Sequence, residues 1–128
     1  MVEQITNGIK VSVVTHFEGT FNKGNQNQFA FGYRVTIENK STDDVKLLSR
    51  YWIIMDALNA TEIVIGDGVI GLQPVLRPGE VHTYNSGCLL HATSGAMRGH
   101  YVLKHLSTGK KFKVKIPTFN LHAPYTLN

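Results

Sequence analysis

Apolar residues recur at every second position along most of this chain, and that period admits strands and little else. Ile9, Val11 and Val13 alternate with Lys10 and Ser12, and Phe29, Phe31, Tyr33, Val35 and Ile37 alternate with Ala30, Gly32, Arg34, Thr36 and Glu38. Side chains two apart share a face, so each segment predicts a half-buried strand. Leu47 to Met55 is apolar on both faces, with Arg50, Trp52 and Ile54 on one and Tyr51, Ile53 and Met55 on the other. That pattern predicts a central strand with Trp52 in the core. Shorter strands are expected at Glu62 to Ile65, Val81 to Asn85, Met97 to Leu106 and Lys111 to Ile116, which makes seven.

Turn signals separate these runs: Asn22-Lys23-Gly24-Asn25, Lys40 to Asp44, Asn59-Ala60, Arg77-Pro78-Gly79-Glu80 and Ser107 to Lys110. With no amphipathic helix among them, the chain reads as all-β, an antiparallel sandwich of the immunoglobulin or fibronectin III type. Its 128 residues suit one domain, with a core from about residue 9 to 117 and a tail over 118–128. The tail keeps Phe119, Leu121 and Tyr125. It is expected to dock on its own domain or on a second copy, in which case a two-fold homodimer is the commonest outcome. Gly19 to Asn27 is polar and reads as a mobile hairpin loop, with Phe21 either a contact residue or folded back.

Hydrophobic residues at 42% and charged residues at 17% place the chain among folding, globular sequences. No apolar run reaches membrane-spanning length, and Met1 to Asn7 lacks a signal core. The expectation is a cytosolic protein with no membrane partner. Cys88 is the sole cysteine; a bystander thiol is favoured over a nucleophile working with His82 or His91, since no orienting Asn or Asp pattern accompanies it. The net charge of +4 is concentrated in Lys104, Lys110, Lys111, Lys113 and Lys115. Because Lys111 to Ile116 alternates strictly, those lysines read as a solvated strand face that protects a sheet edge, in preference to a nucleic-acid stripe.

Gly66, Gly68 and Gly71 form a formal G-x-G-x-x-G, yet Pro74 and Pro78 follow where a dinucleotide fingerprint requires a helix. Two roles remain. The loop could gather backbone N–H groups on a phosphate, with Arg77 supplying charge. Alternatively, the glycines permit positive φ at a bend whose exit Pro74, Pro78 and Gly79 fix, and this structural role is favoured because Asp67 opposes an anion. The six histidines, at 16, 82, 91, 100, 105 and 122, form no metal-ligand spacing, and His100 and His105 fall on opposite strand faces. No metal or other cofactor is expected. The carboxylates are scattered, and Ser86 and His82 lie too far apart along a strand for a triad, so no catalytic residue is assigned. Tyr101 suits a tyrosine corner, its hydroxyl bonded back to loop backbone.

Five ordered pieces, Arg50-x-Trp52-x-Ile54, Gly66-x-Gly68-Val69-x-Gly71, Gln73-Pro74-x-Leu76-x-Pro78-Gly79-Glu80, Tyr84-x-Ser86-Gly87 and Met97-x-Gly99-x-Tyr101, closely resemble the ApaG family, also called CorD. The resemblance covers Ile9 to about Leu121 and implies a fibronectin III-like sandwich. It also implies a bacterial setting beside a diadenosine tetraphosphate hydrolase and an rRNA methyltransferase, with genetic links to cobalt and magnesium homeostasis.

The expected function is a non-catalytic module that binds another protein through the loop at Gly66, Gly68, Gly71 and Leu72. The alternative is a phosphate-containing ligand held there with Arg77; an indirect role in ion homeostasis ranks third. The first expectation requires that Gly68→Asp or Leu72→Asp abolish partner capture while thermal stability persists.

Overall fold

The computed structural model describes residues 1–124, so Tyr125 of the tail lies outside the described residues. Nine strands appear: β1 (Val2–Thr6), β2 (Ile9–Lys23), β3 (Gln26–Asn39), β4 (Val45–Asp56), β5 (Glu62–Asp67), β6 (Val75–Leu76), β7 (Val81–Leu90), β8 (Ser94–His105) and β9 (Lys111–His122). They form two antiparallel sheets, one in the order β1-β2-β3-β7 and one in the order β5-β4-β8-β9, with β6 also paired to β4. Packed face to face, the sheets make a β-sandwich. No helix among the described residues is long and apolar enough to cross a membrane.

The inward faces follow the alternation. Ile9, Val11 and Val13 of β2 and Phe31, Tyr33, Val35 and Ile37 of β3 meet Val45, Leu47 and Trp52 of β4 and Tyr101 and Leu103 of β8 in one buried cluster. Trp52 is 3% exposed. It packs at ring-centroid distances of 5.5 Å from Tyr33 and 5.8 Å from Phe119, joining both sheets. As expected, β4 is interior, flanked by β5 and β8.

Several strands differ from the sequence expectation: β6 is not among the seven, β7 runs on past Asn85 to Leu90 and β8 begins at Ser94. Three further differences bear on the shape of the sheets. The first seven residues contain β1, which returns into β2 through Asn7 and Gly8 at φ 51° and 79°, the geometry of a two-residue hairpin turn. Gly19 to Asn27 is not a loop: β2 and β3 stay paired through Lys23↔Gln26, so Phe21 stands exposed on a two-stranded ribbon. The missing clue was burial, since this ribbon has no core face to impose alternation. Finally, β9 continues past Pro117, which sits where the β8 register shifts between Met97 and Gly99. An edge strand beside such an irregularity tolerates a residue without an N–H. Phe119, Leu121 and Ala123 are therefore buried in this domain's own core, and the described part of the tail docks on its own domain.

β9 is an edge strand, and side chains from the β1–β2 turn cover part of that edge. Asn7 Nδ2 donates to the Lys113 carbonyl at 3.1 Å, and the Lys115 N–H donates to Thr6 Oγ1 at 3.4 Å. At the same end of the sandwich, where Ile9 pairs with Asn39, the fully buried Asn39 donates from Nδ2 to the carbonyls of Asp43 and Leu76 and accepts from Ser41 through Oδ1. It ties the β3–β4 connection to β6.

Candidate functional site

The glycine stretch folds into a tight hairpin beside β4. Val69 and Leu72 exchange backbone hydrogen bonds of 2.8 and 3.0 Å, and between them Ile70 and Gly71 take φ 47° and 74°. Two consecutive positive φ values close the turn with a type I′ twist, for which Asn and Gly are the ordinary residues. Gly71 is one of them, and Ile70 is not. A β-branched residue in the left-handed region is a genuine outlier, and this one directs its side chain largely into solvent, at 60% exposure. Gly68 is needed for space as well as for φ 61°, since a Cβ there would lie 2.2 Å from the Leu72 carbonyl oxygen. Gly68→Asp therefore cannot leave stability intact, which removes one of the two variants expected from sequence and leaves Leu72→Asp.

Several of the loop's backbone groups are already engaged. The N–H groups of Gly68, Val69 and Leu72 donate to the carbonyls of Leu48, Leu72 and Val69. Its carbonyls face a cation from within the fold: Arg50 Nη1 donates to Asp67 O at 2.8 Å and to Gly68 O at 3.0 Å. A Cβ on Gly66 would fall 2.8 Å from the same guanidinium. Gly66, Gly68, Gly71 and Leu72 are thus brought together, over Arg50.

Arg77 is not among them. Leu76 pairs with Val45 of β4, whereas Gly66 pairs with Arg50, an offset of about 16 Å along the strand. Arg77 instead opens a turn with Pro78 and Gly79, its N–H donating to Glu80 Oε1 at 2.7 Å and its carbonyl accepting from the Glu80 N–H at 2.9 Å. With Gly79 at φ 86°, Pro and Gly occupy the places a type II turn prefers. Pro74 contributes a carbonyl to the Leu47 N–H.

Beneath the hairpin, between the open edges β5 and β7, is a pocket of about 230 Å³ lined by Tyr33, Arg50, Trp52, Ile70, Tyr84 and Met97, among others. Tyr84 of β7 and Tyr101 of β8 join hydroxyls across the two sheets. The Tyr101 hydroxyl therefore meets a side chain in the opposite sheet, and the tyrosine corner expected from sequence is not formed. Burial pushes the phenols of Tyr33, Tyr84 and Tyr101 above their ordinary range, and the positive charge of Arg50 partly opposes the rise in each. Arg50 is the residue sequence reasoning passed over as a site residue; a cation in the middle of an apolar strand was its signal.

The other candidates are dispersed. Burial, with the charges of Glu62 and Asp56, pushes the Cys88 thiol up to about 11, which keeps it protonated and unreactive at neutral pH. His100 stacks on Tyr51 and His105 on Phe112, on opposite faces of β8. Among the described residues no three His, Cys, Asp or Glu side chains converge to hold a metal ion.

Residues 19–105 match the family model described as the ApaG domain. The chain is 43% identical over 124 residues to Protein ApaG of Brucella abortus strain S19, covering 97% of this chain and 95% of that protein. It is 44% identical to Protein ApaG of Brucella anthropi over the same shares. Among solved structures, an X-ray structure of a Northeast Structural Genomics Consortium target superimposes with a TM-score of 0.88 at 35% identity, covering 92% of this chain and 89% of that one. The crystal structure of the ApaA protein from Bordetella pertussis gives 0.80 at 36% identity, covering 91% and 94%.

Proposed function

The chain belongs to the ApaG domain family, and we propose that it works in the cytosol as a non-catalytic protein-binding module, meeting its partner at the Val69–Leu72 hairpin and the adjoining β5. The observation that supports this is Ile70, an apolar β-branched side chain held in a strained backbone conformation and pointed at water. Such strain persists where the surroundings over-determine it, and at protein surfaces that is characteristic of binding and switch segments. Leu72 beside it and Ile63 and Ile65 on β5 are also exposed, Ile65 at 69%. β5 is the edge of its sheet, with a free row of backbone donors and acceptors to which an extended segment of a partner can add.

Ile70→Asn separates binding from folding. Asn is at ease at the first central position of this turn, so the variant keeps or gains thermal stability while losing the apolar contact. Affinity capture with the immobilised chain is expected to yield a partner that Ile70→Asn and Leu72→Asp both fail to retain. Retention by both variants would overturn the proposal.

A phosphate-containing ligand is the second reading, and what favours it is Arg50 on the wall of the pocket under the glycine hairpin. On that reading binding weakens steeply with salt and with Arg50→Gln, and is indifferent to Arg77→Ala. A role in cobalt or magnesium homeostasis then runs through the bound partner, not through this chain.

A further inference from the structure

β4, β8 and β9 turn one face away from the core, and on it the registers Lys46↔Lys104 and Lys104↔Lys111 set three lysines in line across three strands. Like charges directly opposite one another destabilise a sheet, so such a row costs the fold something in isolation. Lys113 and Lys115 follow on the same face of β9, and Arg98 faces the same way from β8 opposite Ile53. Six of the 13 Lys and Arg residues are gathered here. Asp67 and Asp44 border the face, and among the described residues no carboxylate comes within salt-bridge distance of any of the six cations.

The face has two further features. Tyr51 and His100 stack nearly parallel with ring centroids 4.9 Å apart, in the middle of it and opposite Lys115 in register. Beside them a groove of about 360 Å³ is lined by Tyr51, Ile53, Arg98, Lys113 and Lys115, among others. Lys111, Lys113 and Lys115 repeat every two residues along an extended strand, about 6.7 Å apart, close to the separation of successive phosphates on an extended polynucleotide.

We propose that the outer face of β4, β8 and β9 binds single-stranded nucleic acid, with the lysine row and Arg98 on the phosphates and Tyr51 and His100 offering a ring surface to the bases. Evenly spaced cations beside aromatic rings are what sequence-tolerant single-strand binding uses. An acidic polypeptide would satisfy the charges but would leave the aromatic step without a role. The charged part of this surface lies toward the β9 edge, while Tyr51 and Ile53 adjoin Ile65 and Ile63 of the β5 face assigned to a protein partner, so Lys104 and Lys111 are the residues that test it apart from that reading.

The test is fluorescence anisotropy with labelled oligouridylate and oligodeoxythymidylate of about twelve nucleotides. Binding is expected with a salt slope near −2, matching about three phosphate contacts, so that affinity falls about 15-fold between 50 and 200 mM salt. Lys104→Gln combined with Lys111→Gln abolishes it, while the melting temperature holds or rises because like charges have been separated. Tyr51→Leu weakens it by about tenfold without changing the salt slope. The proposal is overturned by no binding at about 10⁻⁴ M protein in low salt, by affinity unchanged in the double lysine variant, or by polyglutamate of equal charge competing as well as the oligonucleotide. Equal affinity for a duplex of the same length would overturn the single-strand assignment.

Discussion

The hydroxyls of Tyr84 and Tyr101 bond to each other from opposite sheets, so each buried phenol is the other's partner. Removing one hydroxyl strands the other away from water. Tyr101→Phe and Tyr84→Phe are each expected to cost about 1–3 kcal/mol, and the double change clearly less than the sum of the two. Urea unfolding of the four proteins of this cycle measures it; strict additivity would mean that the two hydroxyls do not depend on each other.

The same burial makes the protein sensitive to alkali. Tyr33, Tyr84 and Tyr101 have phenol pKa values raised in the folded state, chiefly by desolvation. A raised pKa means that the folded state holds its proton where the unfolded chain has released it. The stabilisation is therefore complete below about pH 10, the unfolded value, and is lost as pH rises beyond it. Thermal unfolding followed from pH 8 upward should show a melting temperature that declines above about pH 10, with tyrosinate absorbance appearing together with unfolding.

Two neighbouring loop substitutions should act in opposite directions. Gly68→Ala introduces a Cβ against the Leu72 carbonyl at a positive φ and is expected to destabilise by about 2 kcal/mol or more. Ile70→Gly relieves a left-handed β-branched residue and is expected to leave stability unchanged or to raise it by a few tenths of a kcal/mol, about the size of such turn effects. Calorimetry of both variants decides whether the hairpin is strained at Ile70; a large loss in Ile70→Gly would show that the side chain packs after all.

Cys88, with its thiol pushed up to about 11, should react with a disulfide reagent at pH 8 far more slowly than a free thiol and reach the free-thiol rate once the chain is unfolded. Fast reaction in the folded protein would reverse the assignment of this cysteine as a bystander.

The strands with one buried face were legible because a side chain that must avoid water imposes period two on the letters. Ile9 to Val13 and Phe29 to Ile37 are of this kind, and β4 was legible for the opposite reason, an apolar run on both faces that marks an interior strand. β1 lies outside the expected strands although Asn7-Gly8 is a strong hairpin signal. The outer half of the β2–β3 ribbon is not legible as strand because neither of its faces touches a core. Asn39, buried with hydrogen bonds to Ser41, Asp43 and Leu76, is an ordinary turn-forming letter until the fold brings β6 against it.

What the sequence alone determined was the all-β class, the core position of Trp52, the turns at Pro78-Gly79 and Ser107 to Lys110, and the family. These depend on local geometry and on the hydrophobic period, and both are written within a few residues. Only the tertiary structure decided that Arg50 and not Arg77 lies under the glycine hairpin, that Tyr101 bonds to Tyr84, and that Lys46, Lys104 and Lys111 stand in one row. Each of those facts is a strand register, and register is set by contacts between segments far apart in the chain, which no local pattern records.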